Sequence, residues 1–344
     1  MATNQFRIGL SSAFTRTDGK PTFPSCDWSG LSGMAGVEMD ELPRGAEELT
    51  SSILEGYDAV VLMSEFVRAD SFPANGRLKV IARMGVGFDR IDVPACTEND
   101  VALVTTPDGV RRPMASSIIA MVLALSHRLI EKDRVTRTGK LGWAARLDCI
   151  GTGLVGRTMA SIGIGNIGGE MFRLLKPFEM RLVAHDPYAD PARAAELGVE
   201  LVGLHEAFEQ ADFLAFNCPL NDGTRGIGGK DNIARMKPSA YLINTSRGPV
   251  VDQSALYDAL VQGRLAGAAI DVFDPEPPSA DEPILKLSNV IVTPHAIGFQ
   301  DQMWSVMGEV NTDAITAVIE GRNPGNVVNR DVLDRPSWSA KIGG

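Results

Sequence analysis

Short, continuous apolar runs recur along the chain, and most are separated by segments whose apolar residues return every three or four positions. Residues 59–63 are such a run in the first third, and 6–10, 78–82 and 101–105 are largely apolar stretches of the same length. Each is too short for a helix and predicts a strand. Residues 45–55 place Leu49, Ile53 and Leu54 on one side and read as a helix, whereas 11–35, rich in Gly, Ser and Pro, read as loop. Residues 116–130 are apolar nearly all round, the mark of a buried helix. From about residue 158 the alternation restarts. Strands are expected at 199–202, 213–217, 240–244, 268–271 and 290–293, with helices between most of them. A last helix, 301–319, carries Met303, Val306, Val310, Ile315 and Val318 at helical spacing. The tail after Arg330 is polar with Pro336, and reads as either disordered or a subunit arm. Continuous apolar strands between helices predict an α/β chain built on parallel sheet covered on both faces.

One stretch organises this pattern. An apolar run at 159–162 leads into Gly163-Ile164-Gly165-Asn166-Ile167-Gly168, a helix-like segment at 170–178, a second run at 181–184, and then His185-Asp186-Pro187. Strand, glycine turn, helix, strand, acid is the layout that binds a dinucleotide. The first glycine permits the tight turn, the second lets backbone approach the pyrophosphate, and the third lets helix and strand pack closely. The helix N-terminus then offers unbonded N–H groups to phosphate. The glycines alone prove little, because Gly151-Thr152-Gly153-Leu154-Val155-Gly156 has the same spacing. No strand precedes that copy and no helix follows it, so it reads as loop.

Composition narrows the function. The chain has 344 residues, enough for two domains, and 44% are apolar. Its formal charge is −10, without a Lys/Arg-rich run, which argues against nucleic acid and anionic membrane partners. No apolar run approaches a membrane span, and the polar residues 1–7 lack a signal-peptide core. Cys26, Cys96, Cys149 and Cys218 lie far apart, so they read as packing residues in a reducing cytoplasm, with no metal site.

The polar residues that carry chemistry follow predicted strands. Arg83-Met84-Gly85-Val86-Gly87-Phe88-Asp89 follows the run at 78–82; it is either an ordinary turn or a set of backbone amides able to hold a carboxylate. Of the four histidines, His127 reads as packing, His205 as solvated and His185 as a neighbour of the acid at 186. His295 differs, because it follows a strand in Thr293-Pro294-His295. Two more loops share that position: Asn244-Thr245-Ser246-Arg247-Gly248, and the segment from Asp271 through Glu276 to Pro278. Singly, these charges read as solvated loop residues. Parallel topology gathers them at one edge, beside the end of a dinucleotide site. Reduction of a carbonyl by hydride leaves an alkoxide that needs a proton, which a histidine supplies near neutral pH. A neighbouring carboxylate favours imidazolium and fixes the ring, and an arginine grips a carboxylate with two parallel bonds.

With these residues assembled, the chain resembles the D-isomer-specific 2-hydroxyacid dehydrogenases, a family that includes phosphoglycerate dehydrogenases and glyoxylate/hydroxypyruvate reductases. The resemblance runs roughly from residue 49 to 327. It rests on Gly-Val-Gly-Phe-Asp at 85–89, the turn at 163–168, Met236-Lys237-Pro238, residues 244–251, 271–277 and 293–295. It implies that Arg247 binds the carboxylate and carbonyl of a 2-oxo acid, that His295 is general acid and base, and that Glu276 pairs with it. Val86 and Gly87 would offer amides to the substrate carboxylate, with Arg83 nearby. The implied cofactor set is Gly163, Gly165, Asn166, Ile167, Gly168, Asp186, Cys218, Pro219, Ser246 and Asp271. Asp186 would bind the ribose hydroxyls and repel a 2′-phosphate, favouring NAD over NADP.

The resemblance also implies two doubly wound parallel-sheet domains. A flavodoxin-like catalytic domain, 1–107 with 300–344, would hold an inserted Rossmann NAD-binding domain, 108–299, and the enzyme would be a homodimer. Three features depart from the family pattern. Ser116 stands where an acid is usual. Arg111-Arg112 follows the hinge, and these arginines either bind a second anionic group or face solvent. The residues after Arg330 match no motif. The expected reaction interconverts a 2-oxo acid and a D-2-hydroxy acid, with 3-phosphoglycerate as an alternative substrate. An NAD(H)-sensing corepressor on the same scaffold is the competing function.

Overall fold

A computed structural model describes residues 5–343. Residues 1–4 of the polar N-terminal stretch, and Gly344 of the tail, lie outside the described residues. The chain packs as two compact units: one runs to Val110 and resumes at Phe299, and the other is Arg111–Gly298. Among the described residues, twelve strands form two parallel sheets. The first unit holds β1 (Phe6–Leu10), β2 (Val37–Glu41), β3 (Ala59–Leu62), β4 (Val80–Arg83) and β5 (Ala102–Val104), in the order β2-β1-β3-β4-β5. The second holds β6 (Thr158–Ile162), β7 (Arg181–His185), β8 (Glu200–Leu201), β9 (Phe213–Phe216), β10 (Tyr241–Asn244), β11 (Gly267–Ile270) and β12 (Val290–Val292). Its order is β12-β11-β10-β9-β6-β7-β8. Both are doubly wound orders, with switch points between β1 and β3 and between β6 and β9.

The central strands of the second sheet are mostly apolar because both faces are covered. Ala160, Ile162, Leu214, Phe216, Leu242, Ala268 and Ile270 enter one core, while Met159, Phe213, Ala215, Tyr241, Ile243 and Ala269 enter the other. Alternate residues of one strand thus feed opposite cores. Each fully buried Leu, Ile or Phe contributes about 1.5–3 kcal/mol.

Four helices matter below: α1 (Pro107–Ser126), α2 (Asn166–Leu175), α3 (Asp301–Ile319) and α4 (Pro336–Ile342). Among the described residues no single helix is long and apolar enough to cross a membrane. The long apolar helix expected at 116–130 begins at Pro107, and the chain leaves the first unit inside it. Proline suits a first helical position, so the helix starts well before its apolar stretch. Gly109 is needed there, since a Cβ would fall 2.5 Å from Met307 Cγ and 2.9 Å from its backbone nitrogen. The helix stops at Ser126 because Arg128 is left-handed (φ 50°), and His127 is exposed rather than packed.

Other expectations also give way. The helix read at 45–55 is a single turn, Ser51–Leu54. The backbone before it pairs with Phe66 instead, Leu49 N donating to Phe66 O at 2.9 Å and Phe66 N to Glu47 O at 2.8 Å. The strand β2 lay hidden because it is an edge strand with polar residues at alternate positions. The copy of the glycine pattern at 151–156 is coil.

The tail is neither disordered nor an arm. It packs on the first unit, with Trp338 fully buried and its indole N–H donating to Asn323 Oδ1 at 2.8 Å. Asn329 Oδ1 accepts from Leu103 N at 2.9 Å, and its Nδ2 donates to Val101 O at 2.9 Å, completing the free edge of β5. Arg335 and Ser337 reach the Asp100 carboxylate at 2.5 and 2.9 Å. Trp338→Ala should therefore destabilise the protein by about 3–5 kcal/mol in urea unfolding, because it empties a large closed site. A loss below 1 kcal/mol would show that the tail packs loosely.

Candidate active site

In a parallel sheet the ligand edge is the one at the C-terminal ends of the strands. Along that edge of the second unit the loops follow in strand order. β12 is succeeded by His295, β11 by Asp271 and Glu276, β10 by Ser246 and Arg247, β9 by Cys218 and Pro219, β6 by the glycine turn, and β7 by Asp186.

At the β12 end of this edge, His295 Nδ1 lies 2.6 Å from Glu276 Oε1. Burial pushes the Glu276 carboxyl up, but its hydrogen bond and charge interaction with His295 outweigh this. The Phe273 amide and the charge of Arg247 add to the effect, and the carboxyl lies below its ordinary range. The charge of Arg247 thus acts on the same carboxylate that His295 contacts. Asn244, 2% exposed, shapes the arginine loop. Its Oδ1 accepts from Ser246 N at 3.1 Å and Oγ at 2.9 Å, and its Nδ2 donates to Arg247 O at 3.0 Å. Gly248 lets the loops meet, since a Cβ there would fall 1.8 Å from Phe273 O.

Asp271 organises the loop that bears His295. It is 2% exposed. One oxygen, Oδ1, accepts from Thr293 Oγ1 at 2.6 Å, Ala296 N at 3.0 Å and Ile297 N at 3.2 Å. Its carbonyl accepts from His295 N at 2.7 Å. His295 itself is left-handed (φ 52°), a conformation that costs a non-glycine residue about 1–3 kcal/mol and persists only where its surroundings enforce it. The sequence carries no signal for this, nor for the shaping roles of Asn244 and Thr293.

At the dinucleotide end, Gly163 is left-handed (φ 97°), and a Cβ would fall 2.8 Å from Asn217 O. A Cβ on Gly168 would fall 2.6 Å from Gly163 O. Around Gly165, by contrast, a Cβ would meet nothing within 4 Å. The turn is therefore closed toward the protein and open at its second glycine. There α2 presents its first-turn amides, which have no partner within the helix. The helix begins at Asn166, earlier than the pattern at 170–178 indicates, so Asn166 and Ile167 lie in its first turn. Asp186 Oδ2 accepts from Ile164 N at 3.0 Å and Oδ1 from Tyr188 N at 2.9 Å. Four lone-pair sites leave this carboxylate able to accept hydroxyls as well. Cys218 is 9% exposed, and burial pushes its thiol up to about 11. These features fit a dinucleotide: a phosphate cradle no side chain fills, with an acceptor at the next strand end.

Arg112, exposed enough to be a second anion site, is instead held by Glu170 on α2 at 2.7 Å. Arg173 shares that carboxylate and draws it down to about 2. Ser116, at the position where an acid is usual, donates to Pro113 O at 2.8 Å. Lys237 of the Met-Lys-Pro motif donates to Gln210 O at 2.7 Å and to the buried Asp212 at 3.1 Å, which gives that motif a structural task.

In the first unit, Arg83 ends β4 and its guanidinium lies over Gly85, whose Cβ would fall 2.4 Å from Arg83 Nη1. Gly85 is left-handed (φ 116°), and its amide donates to Thr106 Oγ1 at 2.8 Å. No group among the described residues accepts from the amides of Val86 or Gly87, and Val86 and Phe88 are exposed.

Comparison with known proteins agrees with this geometry. The family described as D-isomer specific 2-hydroxyacid dehydrogenase, NAD binding domain, matches residues 119–296. A glyoxylate reductase of Korarchaeum cryptofilum is 36% identical over 296 residues, covering 86% of this chain and 89% of that protein. A D-3-phosphoglycerate dehydrogenase of Methanocaldococcus jannaschii is 37% identical over 284 residues. That match covers 82% of this chain, which spans about half (53%) of that relative's length. Among solved structures, the TT0316 protein of Thermus thermophilus superposes with a TM-score of 0.79 at 28% identity, covering 94% of this chain and all of the other. The sheets, the glycine turn and these matches together show that the chain belongs to the D-isomer-specific 2-hydroxyacid dehydrogenase family and is an NAD-dependent oxidoreductase.

Proposed function

We propose that the enzyme reduces a small 2-oxo acid such as glyoxylate to its 2-hydroxy acid, or runs the reverse reaction, with Arg247, Glu276 and His295 as its catalytic residues. The observation that carries this assignment is the 2.6 Å contact of His295 Nδ1 with Glu276, on a loop held in a strained conformation. With Nδ1 engaged, Nε2 is the ring atom that faces substrate. Gly163, Gly165, Asn166, Ile167, Gly168, Asp186, Cys218, Pro219 and Ser246 hold the dinucleotide, and Asp271 lines its nicotinamide end. Bound there, the cofactor supplies or accepts hydride.

Arg247 pairs with the substrate carboxylate and polarises the carbonyl. Within the first unit, the candidate substrate residues are Val86 and Gly87, whose amides suit a carboxylate, and Arg83. In reduction, His295 Nε2 gives its proton to the carbonyl oxygen as charge builds there, while Glu276 stabilises the imidazolium; in oxidation, Nε2 takes the proton back. Glyoxylate is put first because a glyoxylate reductase is 36% identical over 86% of this chain. The complete trio favours turnover over an NAD(H)-sensing corepressor.

The quaternary reading is a homodimer. Leu129, Ile130, Leu141, Trp143, Leu147 and Ile150 are all more than half exposed on one continuous segment of the second unit. A patch of this kind marks a protein interface, and a second copy is the partner that fits an isologous contact. Four free, buried cysteines suit the cytoplasm.

Assay of glyoxylate, hydroxypyruvate, pyruvate and 3-phosphohydroxypyruvate with NADH tests the reaction. Activity with at least one is expected, and none at all, despite NADH binding, would refute it. His295→Gln should lower kcat at least about a hundredfold. Because the Glu276 carboxyl lies below its ordinary 4.5, it stays ionised above that value and is lost as pH falls through the lower one. The acid limb of the reduction profile should therefore fall below pH 4.5 and disappear in Glu276→Gln.

Cofactor choice is tested by comparing kcat/KM for NADH and NADPH. NADH should lead by about tenfold or more, and Asp186→Ser should erase the gap by removing the charge that opposes a 2′-phosphate. Equal use of both by the unmodified enzyme would break the argument. In sedimentation, the protein should run at twice 36.8 kDa, and Leu141→Glu with Trp143→Glu should bring it to 36.8 kDa.

A further inference from the structure

We infer that Ser117 is a positioning residue for the proposed proton donor, acting through the loop that carries His295; this rests on the reading of His295 given above. Ser117 lies on α1, is 4% exposed, and belongs to no glycine turn or charged cluster. Its hydroxyl is 2.9 Å from two carbonyls, Pro113 O one helical turn back and Ile297 O on the catalytic loop. A hydroxyl has one proton. Pro113 O already receives the Ser116 hydroxyl at 2.8 Å, so the Ser117 proton is best used on Ile297 O.

Ile297 is thereby gripped from both sides of its residue. Its amide donates to Asp271 Oδ1 at 3.2 Å and its carbonyl accepts from Ser117. Two residues upstream stands His295, left-handed and bonded through its own amide to Asp271 O. The loop has a fixed start, where Thr293 Oγ1 meets Asp271, and Ser117 supplies the fixed end. Ile297 is also one residue short of the point at which the second unit hands the chain on, and α1 contains the other such point. Ser117 therefore bonds the two connecting segments to each other within the second unit, and it places the imidazole between anchors that do not move independently. Misplacing a reacting group by 1 Å can cost about a hundredfold in rate.

Two substrate-free and substrate-dependent readouts test this. In Ser117→Ala, amide hydrogen exchange at Ala296 and Ile297 should rise at least about tenfold while the rest of the second unit is unchanged. In the same variant kcat should fall about ten- to a hundredfold, with NADH affinity and substrate KM within about twofold of the unmodified enzyme. Ser117→Thr, which keeps the hydroxyl, should restore both. Ser117→Cys, with a similar shape and a weaker donor, should fall between, and it serves if alanine prevents folding. Exchange raised equally across the unit, or local loosening with unchanged kcat, overturns the role. If the unmodified enzyme reduces no 2-oxo acid, the proposed function fails, and exchange at Ile297 still decides whether Ser117 holds the loop.

Discussion

Strands that all run the same way cannot be joined by tight turns. Each must return through a crossover, so every strand opens at its C-terminal end on the same edge. In the second unit this constraint sets the site. From Asp186 after β7 to His295 after β12, the polar loops stand in a row whose pitch is the strand spacing of about 4.8 Å. Residues more than a hundred positions apart in the chain share one edge because backbone hydrogen bonds leave them no other order. The side chains along this edge need only be polar and correctly placed within their loops, while the apolar strands beneath do the aligning.

The second requirement is to hold one loop in a conformation it would not choose. A buried carboxylate is costly unless its oxygens are satisfied. Asp271 offsets that cost with three donors on one oxygen, all from the segment that bears His295. Charge-assisted bonds contribute about 1.5–3 kcal/mol each, enough to cover the 1–3 kcal/mol of a left-handed histidine. Burial of Asp271 and strain at His295 are therefore two sides of one arrangement. The same economy recurs at the dinucleotide end, where Asp186 fastens the glycine turn through Ile164 N and still has lone pairs to spare.

The central strands of the second sheet were legible because both faces are buried, leaving mostly apolar runs. β2 was not, because an edge strand with Glu38, Asp40 and Glu41 among its five residues resembles loop. The helix at 45–55 misled because its apolar spacing is genuine, but hydrogen bonds to Phe66 take its backbone first. A polar composition hid the order of the tail, since a single Trp338 and a few hydrogen bonds hold it. In the site, Arg247, Glu276 and His295 could be picked out from their places after strands and from family resemblance. Ser117, Asn244 and Thr293 could not. They act through a few hydrogen bonds, often to backbone, and such residues leave no periodicity and no charge pattern to read.

The first unit is assembled from both ends of the sequence, whereas the second is complete once Gly298 has been made. At roughly 5–20 residues per second, Trp338 follows Gly298 by about 2–8 s. Throughout that interval the edge of β5 lacks Asn329, and the pocket for the indole lies open. The nucleotide-binding half can thus take up its ligand while its companion still exposes an unfinished sheet. During synthesis, chaperone dependence and proteolytic vulnerability should therefore concentrate on the half that was begun first.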